Sequence, residues 1–205
     1  MGIYREQLLP RLIDKACGGR DLERWRGKVL EGLSGTVVEI GSGSGLNIGV
    51  YPPEVTRVLA VEPSEVARRL ARRRIDSALV PVQHIGLDGE QLPLDDDSCD
   101  GAVSTFTLCT IPDVMAALAE LRRVLKPGGQ LRFLEHGLSP EASVAKWQHR
   151  LEPMQKRSAD GCHLTRDPVE LVTAAGFEMV SHESRQAKGP KPWTWFTEGI
   201  ARNPK

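Results

Sequence analysis

The residues best suited to chemistry stand in one short run, Glu39-Ile40-Gly41-Ser42-Gly43-Ser44-Gly45. Glycines at alternate positions let a backbone turn sharply and let a ligand come close. A dinucleotide fingerprint, G-x-G-x-x-G, would want a small residue at position 46, where the chain has Leu46, and no Lys-Ser/Thr pair follows as a phosphate loop requires. The pattern E-x-G-x-G-x-G suits a ligand without a pyrophosphate, such as S-adenosylmethionine. Glu62 follows Gly41 by 21 positions. A carboxylate there can accept both hydroxyls of a ribose as charge-assisted hydrogen bonds; alone it would read as a solvated strand end. Asp88-Gly89-Glu90-Gln91-Leu92-Pro93 offers a further acidic side chain, able to accept a hydrogen bond from an adenine amine or to serve as an ordinary loop.

These residues need elements to hold them. Thr36–Ile40 and Val58–Glu62 are short apolar runs, as in parallel strands covered on both faces. The glycine run follows the first of them and should open a helix, placing it at the first strand-to-helix turn, the usual ligand crevice of such sheets. Ser64 caps a helix to about Arg74. Further strands are expected over 79–84, 99–106 and 130–135, with a helix over 115–125 between the last two, stopped by Lys126-Pro127-Gly128-Gly129. A helix over 168–175 precedes two final strands, 177–184 and 193–202, close enough for an antiparallel pair. Two helices come first, one with Leu8, Leu9, Leu12, Ile13 and Ala16 on one face, the other near 21–32 with Leu22, Trp25, Val29 and Leu30. Strands alternating with helices predict one α/β domain over 1–205, with 1–34 as a helical lid over the cofactor and 36–205 as the core.

Composition narrows the partners. The chain has 205 residues, 27 Lys+Arg against 27 Asp+Glu, and therefore no net charge. Neutrality argues against a polyanion partner, and 5% aromatics is too few for nucleic-acid stacking platforms. The run Arg68-Arg69-Leu70-Ala71-Arg72-Arg73-Arg74 reads as a solvated helix face. Cys17, Cys99, Cys109 and Cys162 form no CxxC pair, so no metal site is expected, and scattered thiols fit a reducing cytoplasm. No apolar run reaches the length of a transmembrane span, and residues 1–6 do not read as a signal peptide. The N-terminal apolar stripe leaves a peripheral membrane contact as a minor reading.

Taken together, the motifs resemble the class I S-adenosylmethionine-dependent methyltransferases of the Rossmann-like type, from about residue 36 onward. The resemblance rests on Val38–Gly45, Val61-Glu62-Pro63, Asp88–Pro93, Asp97–Asp100 and Leu121–Gly129. It implies a seven-stranded, mostly parallel sheet with an antiparallel last strand and helices on both faces. It also implies cofactor contacts from Glu39, Gly41, Ser42, Gly43, Gly45, Glu62, Pro63, Asp88, Gly89 and Thr105, the last lying under the methyl group. Asn47–Pro53, Leu108-Cys109-Thr110, Phe133–His136, Trp147 and Asp160–Arg166 are similar to the branch that includes thiol methyltransferases.

Methyl transfer from a sulfonium is an in-line displacement with a neutral leaving group. Positioning of the nucleophile, worth roughly 7–11 kcal/mol in well-oriented systems, can supply most of the rate gain. The expected acceptor is small and apolar, with a thiol, hydroxyl or amine nucleophile, and S-adenosylhomocysteine is the second product. His136, His163 and Cys109 are the candidates on the acceptor side, each also explicable as a packed or hydrogen-bonded residue. The competing readings are a non-catalytic S-adenosylmethionine sensor and an NAD-type oxidoreductase. Leu46 speaks against the second.

Overall fold

A computed structural model describes residues 4–205. Its centre is a seven-stranded sheet: β1 (Gly35–Ile40), β2 (Val55–Val61), β3 (Val82–Gly86), β4 (Cys99–Thr105), β5 (Leu125–His136), β6 (Glu178–Gln186) and β7 (Trp195–Arg202). The order across the sheet is β3-β2-β1-β4-β5-β7-β6. β1 pairs in parallel with β2 and β4, and β7 runs antiparallel to both its neighbours, β5 and β6. This is the expected doubly covered sheet.

Alternation along β1 feeds two cores, because successive strand side chains point to opposite faces. Val38 and Ile40 join Leu118 and Leu121 of α4 (Val114–Val124), Val172 of α6 (Pro168–Ala174) and Phe177. Val37 joins Leu30 of α2 (Arg20–Leu30), Leu33, Tyr51 and Val103 on the other side. Burying each such side chain stabilises the fold by about 1.5–3 kcal/mol. Caps set the helix starts. Ser64 accepts from the Ala67 N–H at α3 (Glu65–Asp76), Asp113 from Ala116 at α4, and Asp167 from Val169 and Glu170 at α6.

Three expectations need correction. The glycine run does not open an α-helix: a single 3₁₀ turn, Ile48–Val50, bridges it to β2. Pro52 and Pro53 close the segment, since proline has no amide hydrogen and disfavours helix in the residue before it. A 17-residue helix, α5 (Ala142–Ser158), occupies a stretch with no expected element. Its pattern is weak because it buries chiefly Val144 and the amide side chain of Gln148, and Pro153 interrupts it. Finally, β5 begins at Leu125, before the Lys-Pro-Gly-Gly turn. Those four residues bulge between the pairings Cys99↔Leu125 and Gly101↔Gln130, with Asn203 bonded to the backbone on both sides of the bulge.

The N-terminal segment is held by polar contacts. In α1 (Leu9–Cys17), Asp14 accepts from the Ser44 hydroxyl at 2.6 Å and pairs with Arg74 at 2.9 Å. Leu9 is buried, whereas Leu8, Leu12 and Ile13 face solvent. No helix among the described residues is long and apolar enough to cross a membrane.

Candidate active site

The carboxyl ends of β1, β2, β4 and β5 meet where ligands bind in sheets of this order. The glycines of the turn have separate tasks, and all three adopt positive φ. A Cβ at Gly41 would overlap the Thr107 side chain, so the turn there is pressed against the segment after β4. Gly43 is the least crowded of the three: a Cβ there would meet only the Gly41 carbonyl oxygen, at 3.9 Å, and its backbone is half-buried. At Gly45 a Cβ would run into Ile48.

Glu62 spans the mouth of this turn. Its carboxylate accepts from the Gly43 and Ser64 amides, each at 2.8 Å. Burial pushes its pKa up, and the two amides pull it back. An ionised carboxylate offers about four acceptor positions, so two remain for a ligand. Arg68 and Arg74, expected on a solvated face, instead brace the turn: their guanidiniums donate to the carbonyls of Glu62 at 2.6 Å and Ser44 at 2.7 Å. Pro63, next to Glu62, is exposed. Asp88 is exposed at the loop after β3, one oxygen accepting from the Glu90 amide, and Gly89 packs on Ile40.

Beneath the turn lies a buried polar network. Glu39 is wholly enclosed, with Asn47 donating to one oxygen and the Tyr51 hydroxyl to the other, both at 2.7 Å. Burial drives its pKa up against those donors. Arg26 enters from α2 and donates to Asn47 Oδ1 at 2.9 Å and to Thr105 Oγ1 at 2.7 Å. Thr105 also accepts from Asn47. Glu39 and Thr105 are therefore tied inward. Arg26 was legible in principle: it sits on the apolar stripe of α2, four residues after Leu22 and three before Val29, where an arginine must find partners. Two polar atoms here are buried without partners, Ser42 Oγ and Arg26 Nε.

The other side of the crevice is aromatic. Phe106 and Phe196 meet edge to face at 5.2 Å, Trp25 meets Phe196 at 5.9 Å, and His136 lies 6.2 Å from the Phe196 ring. Phe106 has a φ of +56°, a strained conformation for a bulky residue. Glu135 holds this bend: it accepts the Thr107 amide with both oxygens at 3.0 Å and the Ser104 hydroxyl at 2.7 Å. His136 is 6% exposed, yet neither ring nitrogen has a hydrogen-bond partner. His163 is committed elsewhere, its Nδ1 2.7 Å from Glu152. Cys109 is buried, its sulfur 3.6 Å from that of Cys162.

A sheet of this order, with a glycine turn after its first strand and an acidic residue closing its second, is that of the class I methyltransferases. Comparison with known proteins agrees. Residues 38–133 match the model of the methyltransferase domain family. The chain is similar to thiol S-methyltransferase TMT1B of Rattus norvegicus, with 36% identity over 84% of this chain and 71% of the relative. It is also similar to thiol S-methyltransferase TMT1A of Homo sapiens, with 29% identity over 94% and 76%. An S-adenosylmethionine-dependent methyltransferase from Mesorhizobium loti superposes with a TM-score of 0.66 at 18% identity, over 90% of this chain and 98% of that one. The chain belongs to the methyltransferase family and is an S-adenosylmethionine-dependent enzyme. The uncrowded backbone at Gly43, the spare acceptor positions of Glu62 and the unpartnered Ser42 hydroxyl fit that cofactor.

Proposed function

We propose that this enzyme methylates the sulfur of a small apolar thiol, and that His136 receives the thiol's proton. The observation that carries this reading is the buried imidazole of His136, unpartnered at both nitrogens beside Phe106 and Phe196. An unpaired polar group in an apolar wall costs roughly 1–3 kcal/mol unless a ligand satisfies it. A thiol on an apolar body would do so. That the relatives are named thiol S-methyltransferases supports the same choice.

S-adenosylmethionine supplies an electrophilic methyl on a sulfonium. Around it, Gly43 and Ser42 would face the methionine portion, Glu62 the ribose hydroxyls, and Asp88 with Gly89 the adenine. Arg26 and Asn47 would act as positioning residues, fixing Thr105 and Glu39 under the reacting atoms. The N-terminal helices would cover the methionine end, a reading supported by the Asp14–Ser44 and Arg26–Thr105 bonds. His136 would take the proton as the acceptor sulfur becomes nucleophilic, and the aromatic wall would exclude water. Four unbridged cysteines suit the reducing cytoplasm, and the neutral chain suits a small molecule better than a nucleic acid.

The test is methyl transfer from labelled cofactor to matched thiols, alcohols and amines sharing one apolar body. The thiol is expected to lead in kcat/KM, and His136→Phe to lower that value while leaving cofactor binding intact. Preference for the amine or alcohol would refute the thiol assignment.

A further inference from the structure

Among the described residues, two cysteines lie sulfur to sulfur beside the aromatic wall. Cys109 follows β4, and Cys162 lies in the loop between α5 and α6, with 3.6 Å between their sulfurs. The backbones that carry them are fastened together: the His163 amide donates to the Cys109 carbonyl at 2.8 Å, and Arg166 donates to the carbonyls of Leu108 and Ile111. Closing a disulfide would bring these sulfurs from 3.6 Å to near 2.05 Å, between two segments that are already tied together. Cys162 is partly exposed and Cys109 is enclosed, so an incoming molecule meets Cys162 first.

We infer that Cys162 and Cys109 form a redox-active dithiol whose substrate is a small organic disulfide. Cys162, as thiolate, attacks one sulfur of RSSR, forming a mixed disulfide and expelling RS⁻. The Cys109 sulfur then attacks Cys162, breaking the mixed disulfide and releasing the second half of RSSR. The Cys109 proton leaves with one of the two RS⁻ products. Two protein thiols are oxidised to a disulfide as RSSR is reduced to two thiols, and the electrons balance.

The surroundings suit those roles. The groups facing Cys162 are Cys109 after β4, His136 at the end of β5, Gln155 of α5, Cys17 at the end of α1, and Arg166. The adjacent Cys109 sulfur, 3.6 Å away, is the main influence that pulls Cys162 down to about 5, while Cys109 is pushed well up. Burial raises Cys17 and Cys99 as well. At pH 6 Cys162 is then the thiolate of the four, and thiolate is the attacking form. This inference does not depend on which acceptor is methylated.

The experiment uses 5,5′-dithiobis(2-nitrobenzoate) at pH 6 on the full chain. Release of the coloured thiolate should be roughly tenfold faster than from Cys162→Ser, as expected for an acidic thiol. It should reach two equivalents, with no adduct retained and a peptide map showing Cys109 linked to Cys162. Cys109→Ser should stop at one equivalent with the adduct on Cys162. An adduct that persists on wild-type Cys162, a Cys17–Cys162 link, or no fast release at pH 6 would overturn the proposal. If a variant fails to fold, the wild-type release and peptide map still decide. Labelled methyl transfer to a panel of thiols, run separately, would fail or succeed independently.

Discussion

The two halves of the crevice are built on opposite plans. On the side proposed for the cofactor, around β1 and β2, most polar side chains are spoken for, Glu39 by Asn47 and Tyr51, Glu62 by two amides, Thr105 by Arg26 and Asn47, with Ser42 Oγ and Arg26 Nε left over. On the side proposed for the acceptor, at β5 and β7, the wall is aromatic, the imidazole of His136 has no partner, and two thiols touch. Each side keeps some unspent groups, Ser42 Oγ and the spare acceptor positions of Glu62 on the first and the His136 imidazole on the second, but the dense hydrogen-bond network lies on the first, so stability should reside mainly there.

The largest test of that contrast is Glu39→Ala. It strands Asn47, the Tyr51 hydroxyl and part of the Arg26 network in the interior, and should cost about 3–5 kcal/mol in urea unfolding, as for a broken buried pair. Stability within 1 kcal/mol of the parent would show that the network is not structural. His136→Phe should do the reverse. No protein hydrogen bond is lost, so the melting temperature should hold, while kcat/KM toward a thiol falls about 100-fold, the lower range for general-base effects. A normal rate would remove His136 from the acceptor site.

Glu62→Ala should weaken S-adenosylmethionine binding by about 1.5–3 kcal/mol by calorimetry, the value of hydrogen bonds to a charged acceptor. An unchanged Kd in folded protein would displace the ribose from Glu62. The smallest expected effect is its pH dependence. Burial raises the Glu62 pKa, so its ionised, hydrogen-bond-accepting form is lost earlier on acidification than for an ordinary glutamate. Affinity should decline as pH falls toward that raised value, and Glu62→Gln should flatten the slope. A slope identical in the variant would assign it to another group.

How much was legible follows the same division. Alternating glycines, a carboxylate after β2 and the Lys-Pro-Gly-Gly turn carry meaning by type and spacing, so sheet, cofactor and family could be read from the sequence. The aromatic wall could not. Phe196, Phe106 and Trp25 are distant in sequence and meet only because β7 pairs with β5, setting His136 opposite Phe196. The Cys109–Cys162 contact spans 53 positions and depends on α5, whose polar face and internal proline hid it. Arg68 and Arg74 looked like surface charge because periodicity describes a helix face and not what a long side chain reaches. The missing helix after the glycine run was a matter of length and two prolines.

The strand order has a consequence for how the protein is made. β7 lies between β5 and β6 although it follows both in sequence. When β6 leaves the ribosome its place beside β7 does not yet exist, and the edge of β5 is bare. Domains acquire structure as they are synthesised, and an unpaired strand edge is a template for association with another chain. The aromatic wall inherits this delay, because Phe196 arrives with β7. The emerging chain can thus assemble the glycine turn and its network first, and the aromatic wall only once β7 has followed β5 and β6 out of the ribosome.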